Sequence, residues 1–170
     1  MPYEITEGYV PGCIGRVVSL HAAYYSREVG FGLPFEARVA GEMAAFLQRL
    51  RTGRDGLWLA RDEAGEIHGS IAIDAMHADG EGAHLRWFIC SDATRGSGLG
   101  RQLLARAIAH CDALGFARIH LHTFAGLDAA RHLYESHGFR LIQEQAGEQW
   151  GRVVNEQRFE RDAAMRGHSH

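Results

Sequence analysis

One short segment narrows the possible folds more than any other. Arg95-Gly96-Ser97-Gly98-Leu99-Gly100-Arg101 stands between the strand-like run His84 to Cys90 and a helical stripe. In that stripe Leu99, Leu103, Leu104, Ala107, Ile108 and Cys111 recur on one face, while Arg101, Gln102, Arg106 and Asp112 mostly point away. Glycines at such a turn let the backbone approach a ligand closely and leave N–H groups facing outward. The helix that starts beside them adds partial positive charge at its N-terminus, so the natural guest is a phosphate. A dinucleotide fingerprint would need a glycine at the sixth position from Gly96, where Arg101 stands, and an acidic residue closing a second parallel strand. A kinase-type glycine loop would need a partner Lys on a later strand, and the chain contains no Lys.

Around this turn the hydrophobic periodicity alternates between two and 3.6. Tyr3 to Tyr9 reads as a strand, and Pro11 as the first-turn proline of a helix running to about Glu28. Gly30 and Gly32 open a loop, after which Val39, Met43, Phe46, Leu47 and Leu50 define a second helix over Phe35 to Leu50. Leu57 to Ala60 and Ile67 to Ala75 form a hairpin across Asp62-Glu63-Ala64-Gly65, and His84 to Cys90 adds a third antiparallel strand. Gly115 ends the helix that follows the glycine turn. Arg118 to Thr123 is then a strand, Leu127 to His137 a helix capped by Gly138, and Phe139 to Glu144 and Gly151 to Phe159 are two last strands. The order βααβββαβαββ predicts an α/β domain, with a central twisted sheet of mixed antiparallel and parallel pairing flanked by helices. No repeat or linker interrupts it, so residues 1–162 read as a single domain and 163–170 as a flexible tail.

Composition bounds the chemistry. The 170 residues carry 18 basic side chains, all of them Arg, against 21 acidic ones, for a formal charge of −3. Nucleic acid and anionic membranes are therefore not expected partners. Without Lys there is no Schiff-base nucleophile, no pyridoxal-phosphate linkage and no Walker-type phosphate loop. Cys13, Cys90 and Cys111 lack the paired spacing of zinc knuckles or redox motifs and read as reduced, buried thiols. Neither a basic and apolar leader nor a run approaching the roughly 18 apolar residues of a membrane span is found, so a soluble cytoplasmic protein is expected.

Two signatures carry a family resemblance. Arg95-Gly96-Ser97-Gly98-Leu99-Gly100 matches the pattern of Arg or Gln, two free positions, Gly, one free position, then Gly or Ala. Ala130, Leu133, Tyr134, Gly138 and Phe139 fall at the offsets of N-x-x-A-x-x-L-Y-x-x-x-G-F, with Leu127 in place of the Asn. In these features the chain resembles the GNAT superfamily of N-acetyltransferases, over essentially Tyr3 to Arg161. Leu85-Arg86-Trp87, Leu121-His122-Thr123-Phe124 and the Trp150-Gly151 to Glu156-Gln157 ending look like the acetyltransferase domains found fused to MarR-type regulators.

The resemblance implies acetyl-CoA as co-substrate. Phe88, Ile89 and Cys90 would offer backbone groups to its pantetheine arm, Arg95 through Arg101 would surround its pyrophosphate, and Ala130 would lie beside it. Tyr134 matches the general acid that protonates the departing thiolate, and a phenol is protonated at neutral pH. Leu127 removes one cofactor contact, and Asp128 beside it suits a helix N-terminus. Cys90 lacks an evident base partner and reads as a spectator.

The remaining roles are read from the residues themselves. No Glu or Asp lies within Leu85 to Cys90, so a base must come from elsewhere. His120 and His122 share one strand face, which suits proton removal, substrate contact, metal binding or packing. Two ligands without a recognisable third leave no metal assigned. Glu156 could anchor a cationic acceptor or take its proton through water, and Trp150 is either an acceptor-site wall or core. The sequence thus points to transfer of acetyl from acetyl-CoA to a primary amine of a small molecule or peptide, by direct attack in a ternary complex. The reading from another class is a non-catalytic acyl-CoA-binding or regulatory module. A homodimer is compatible with either.

Overall fold

The computed structural model describes residues 2–163. One seven-stranded sheet is built from β1 (Glu4–Glu7), β2 (Gly56–Arg61), β3 (Ile67–Asp74), β4 (Ala83–Cys90), β5 (Arg118–Phe124), β6 (Arg140–Gly147) and β7 (Val154–Asp162), in the order β1-β2-β3-β4-β5-β7-β6. Helices α1 (Cys13–Val29), α2 (Leu33–Arg49), α3 (Leu99–Leu114) and α4 (Asp128–Ser136) cover its faces. The observed order of elements is the βααβββαβαββ expected from periodicity. Among the described residues only β4 and β5 pair in parallel; the other neighbours are antiparallel.

Element ends differ from the expectation in identifiable ways. Pro11 lies outside α1, which starts at Cys13 after the left-handed Gly12, and the first-turn proline is instead Pro34 of α2. β1 is shorter than Tyr3 to Tyr9, and β7 begins at Val154 rather than Gly151, where φ is 102°. Of the tail assigned to 163–170, only Ala163 is described, its N–H donating to the Ala117 carbonyl at 2.7 Å; the rest lies outside the described residues.

Consecutive strand side chains point to opposite faces, and here both faces are covered. Leu57, Leu59 and Ala72 pack with Val17, Met43 and Phe46 beneath α1 and α2. Trp58, Ile71 and Ile73 pack with Leu103, Leu104 and Phe159 on the α3/α4 side. β4 breaks the simple alternation: Ala83 and Leu85 belong to the α3/α4 core, whereas Trp87 and Ile89 belong to the α1/α2 core. The reversal occurs at Trp87, whose φ is +49°. There the register moves from Ala72↔Arg86 to Ser70↔Ile89, so that Trp87 and Phe88 oppose Ile71 alone. A bulky residue at positive φ costs on the order of 1–3 kcal/mol. It is held by the Ser70 hydroxyl donating to its carbonyl at 2.6 Å, and by Phe46 and Arg86 against its indole. The bulge bends β4, and parallel pairing with β5 stops after Ala83↔Ile119 and His84↔His120.

Candidate active site

Where β4 and β5 cease to pair, a cavity of about 420 Å³ opens through the sheet. Phe88 and Tyr134 reach it from the α3/α4 side, and His21, Tyr25, Phe124 and Trp150 from the α1/α2 side. His84, His122 and Glu156 also line it. The structure thus gathers Phe88, Tyr134, His122, Trp150 and Glu156 around one space, while the glycine turn stands outside it.

The turn nevertheless abuts the same strand. A Cβ on Gly100 would lie 3.4 Å from Leu133 and 3.6 Å from the Phe88 ring. Ala130 packs against both cores at this junction. Gly96 and Gly98 adopt φ of 80° and 79°, and a side chain there would meet nothing within 4 Å. The N–H groups of Arg95, Ser97 and Leu99 donate to the Asp92 carbonyl, the Thr94 carbonyl and the Ser97 hydroxyl. Those of Gly96, Gly98, Gly100 and Arg101 have no partner among the described residues. No acidic residue occupies the first turn of α3. Four open donors at a helix N-terminus form an anion-receptive surface. Arg95, exposed, reaches Asp92 at 3.4 Å, and Asp92 also meets Arg27 at 3.1 Å.

Tyr134 is buried among Phe88, Phe139 and Phe159, and this burial raises the phenol's pKa, which keeps it protonated. Burial likewise pushes the Cys90 thiol up to about 11, which suits a spectator rather than a nucleophile.

On the α1/α2 side, Phe31, Phe35, Phe124 and Trp150 form an aromatic wall, with Phe31–Phe35 centroids 4.9 Å apart and Phe35–Trp150 centroids 5.5 Å apart. Trp150 is thus both core-packed and cavity-lining, with the Arg38 guanidinium 4.2 Å over its ring. Leu127 is buried in the same core, which gives its departure from the family's Asn a packing reason. Glu156 accepts from the Gln149 amide at 2.9 Å through Oε1, but Oε2 is buried without a partner among the described residues. His122 is exposed opposite Arg158, and His120 is buried opposite Glu160. Sequence reasoning missed His84, because its place beside His120 depends on the parallel register. It also missed Arg86, which pairs with Glu42 and, at 3.6 Å, with Asp74.

His21, 5% exposed on α1, donates from Nδ1 to the Val17 carbonyl at 2.8 Å. Burial lowers its pKa from 6.5 to about 4. Below pH 6.5 the unfolded chain therefore binds a proton that the folded chain refuses, and stability falls until the folded pKa is reached. Unfolding free energies in urea are expected to drop by roughly 3 kcal/mol more between pH 7 and 4 than in His21→Gln, which keeps the hydrogen bond but cannot titrate. Equal drops would place the acid sensitivity elsewhere.

With this geometry in view, the comparisons define the class of protein. Residues 17–139 match the model of the acetyltransferase (GNAT) family. The chain belongs to that family and is an acetyltransferase. An acetyltransferase of the GNAT family from Staphylococcus aureus superposes with a TM-score of 0.73 at 18% identity, over 94% of this chain and 99% of that one. A phosphinothricin acetyltransferase from Sinorhizobium meliloti, solved in complex with acetyl-CoA, gives 0.71 at 19% identity, over 97% and 90%. The Salmonella typhimurium protein yncA, solved with its cofactor acetyl-CoA, gives 0.72 at 16% identity, over 95% and 94%. At these identities the likeness is one of fold. No curated protein matches the chain. Among the described residues no helix is long and apolar enough to cross a membrane.

Proposed function

We propose that this acetyltransferase acts on a primary amine by direct attack in a ternary complex. The observation that carries the reading is the Glu156 carboxylate at the wall of the cavity that Tyr134 enters from the other side; its Oε2, packed against Gly147, has no partner among the described residues. A buried carboxylate oxygen without a donor is costly, and an ammonium group supplies one.

The residues present fit acetyl-CoA. The open amides of Gly96, Gly98, Gly100 and Arg101 suit its diphosphate, and the unpaired edge of β4 over Phe88, Ile89 and Cys90 suits the amides of its pantetheine arm. When bound, it supplies an activated acyl carbonyl with a thiolate leaving group. Glu156 holds the acceptor ammonium and takes its proton, directly or through water. His122 contacts the acceptor from the same wall, and Trp150 closes one side. An outward N–H of the Ile89–Cys90 edge donates to the acyl oxygen, a contribution of a few kcal/mol. Tyr134 delivers its phenolic proton to the departing sulfur.

On the same reading, residues 1–162 are one catalytic domain that works in the cytoplasm, with homodimerisation allowed. The segments at Leu85, Leu121 and Trp150 ally it with the acetyltransferase domains of MarR-type fusions. A thiol-trapping assay with amino acids, polyamines, aminoglycosides and peptide N-termini tests the proposal. Amine-dependent CoA release is expected, with Glu156→Gln lowering kcat/KM about 100-fold. Acetyl-CoA binding without release by any amine would leave a non-catalytic acyl-CoA-binding module.

A further inference from the structure

His120 and His122 stand two residues apart on β5, so both rings leave the α1/α2 face of the sheet. His84 on β4 pairs in register with His120. The ring centroids are 4.6 Å apart for His84–His120, 5.3 Å for His84–His122 and 5.6 Å for His120–His122. One nitrogen from each ring lies within 4.8 Å of the other two. His120 is 5% exposed, yet its Nδ1 has no hydrogen-bond partner among the described residues, while the ring meets the Glu81 backbone. A buried, unpartnered imidazole nitrogen among two further imidazoles asks for a ligand that accepts lone pairs.

We propose that His84, His120 and His122 form a three-histidine site for a divalent transition-metal ion of the zinc class. Sequence spacing offered two of these ligands, and the fold supplies the third. Imidazoles without hard carboxylate ligands select zinc, copper or nickel over magnesium and calcium. Nitrogens about 2.1 Å from a tetrahedral ion lie about 3.4 Å apart, so the rings close by little more than an ångström. Three protein ligands leave a fourth position, and it faces the cavity, which His84 and His122 line. The neighbouring cations are already engaged: Arg158 with Glu160 at 3.0 Å and Glu81 at 3.8 Å, and Arg86 with Glu42 and Asp74. Glu81, Glu156 and Glu160 offset the added charge.

The inference stands apart from acetyl transfer, because its readout is metal binding itself. Chelator-stripped protein is titrated with Zn2+ by calorimetry and with Co2+ by visible absorption, in the 170-residue chain carrying His168→Gln and His170→Gln. One equivalent is expected to bind, with the intense visible bands of four-coordinate cobalt. His122→Gln, at the exposed member of the trio, should weaken binding at least about 100-fold and remove those bands. His132→Gln, on the exposed face of α4, should change neither, with circular dichroism showing all variants folded. No saturable binding, a six-coordinate cobalt spectrum, or undiminished affinity in His122→Gln overturns the proposal.

Discussion

Gly98→Asp is expected to weaken acetyl-CoA binding by about 100-fold or more while leaving the protein folded, with a stability loss of about 1 kcal/mol or less. Gly98 sits at φ 79° and ψ 9°, a left-handed conformation that Asp and Asn tolerate better than other side chains, with nothing within 4 Å of its Cβ position. A carboxylate at the start of α3 complements the helix dipole by about 0.3–1 kcal/mol, which offsets part of the strain that any side chain meets at this φ. The same charge would stand beside the open amides that we propose receive the diphosphate. Two unit charges about 4 Å apart repel by about 4 kcal/mol near a protein surface, and screening still leaves the roughly 2.7 kcal/mol that a 100-fold loss requires. Gly98→Asn supplies the neutral control and should retain most of the affinity. Calorimetric titration together with thermal melts separates the effects. Unchanged affinity in Gly98→Asp would mean that the diphosphate binds elsewhere.

Tyr134→Phe is expected to lower kcat by about 10²–10⁴ with little change in the affinity for acetyl-CoA, as for loss of a positioned general acid. Phe keeps the ring contacts with Phe88, Phe139 and Phe159 and removes only the hydroxyl. Steady-state kinetics beside a binding titration checks this. A variant that turns over normally would show that the departing sulfur receives its proton from water or another group.

Much of this architecture was legible in the residues, because strands and helices impose periods that hydrophobic positions must follow. The stripe from Leu99 to Cys111 and the glycines before it locate the turn, and the offsets from Ala130 to Phe139 locate Tyr134. What escaped was set by distant pairing. Leu85, Trp87 and Ile89 alternate as residues of one face, yet the bulge sends Leu85 to one core and Trp87 and Ile89 to the other. Nothing local announces a tryptophan at positive φ, since glycine is the residue that such backbone favours. His84 could not be matched to His120 without knowing which strands run parallel, and the partnerless oxygen of Glu156 depends on where Gln149 and the Gly147 backbone lie.

The meeting of β4 and β5 through two residue pairs gives the molecule a seam. On one side, β1 to β4 hold together through antiparallel ladders; on the other, β5, β7 and β6 do the same. A long ligand threaded along that seam is a structural member as much as a reagent, for it rivets two halves that backbone bonding barely joins. Hydrogen exchange should therefore slow in both halves on loading, including amides that the ligand never touches.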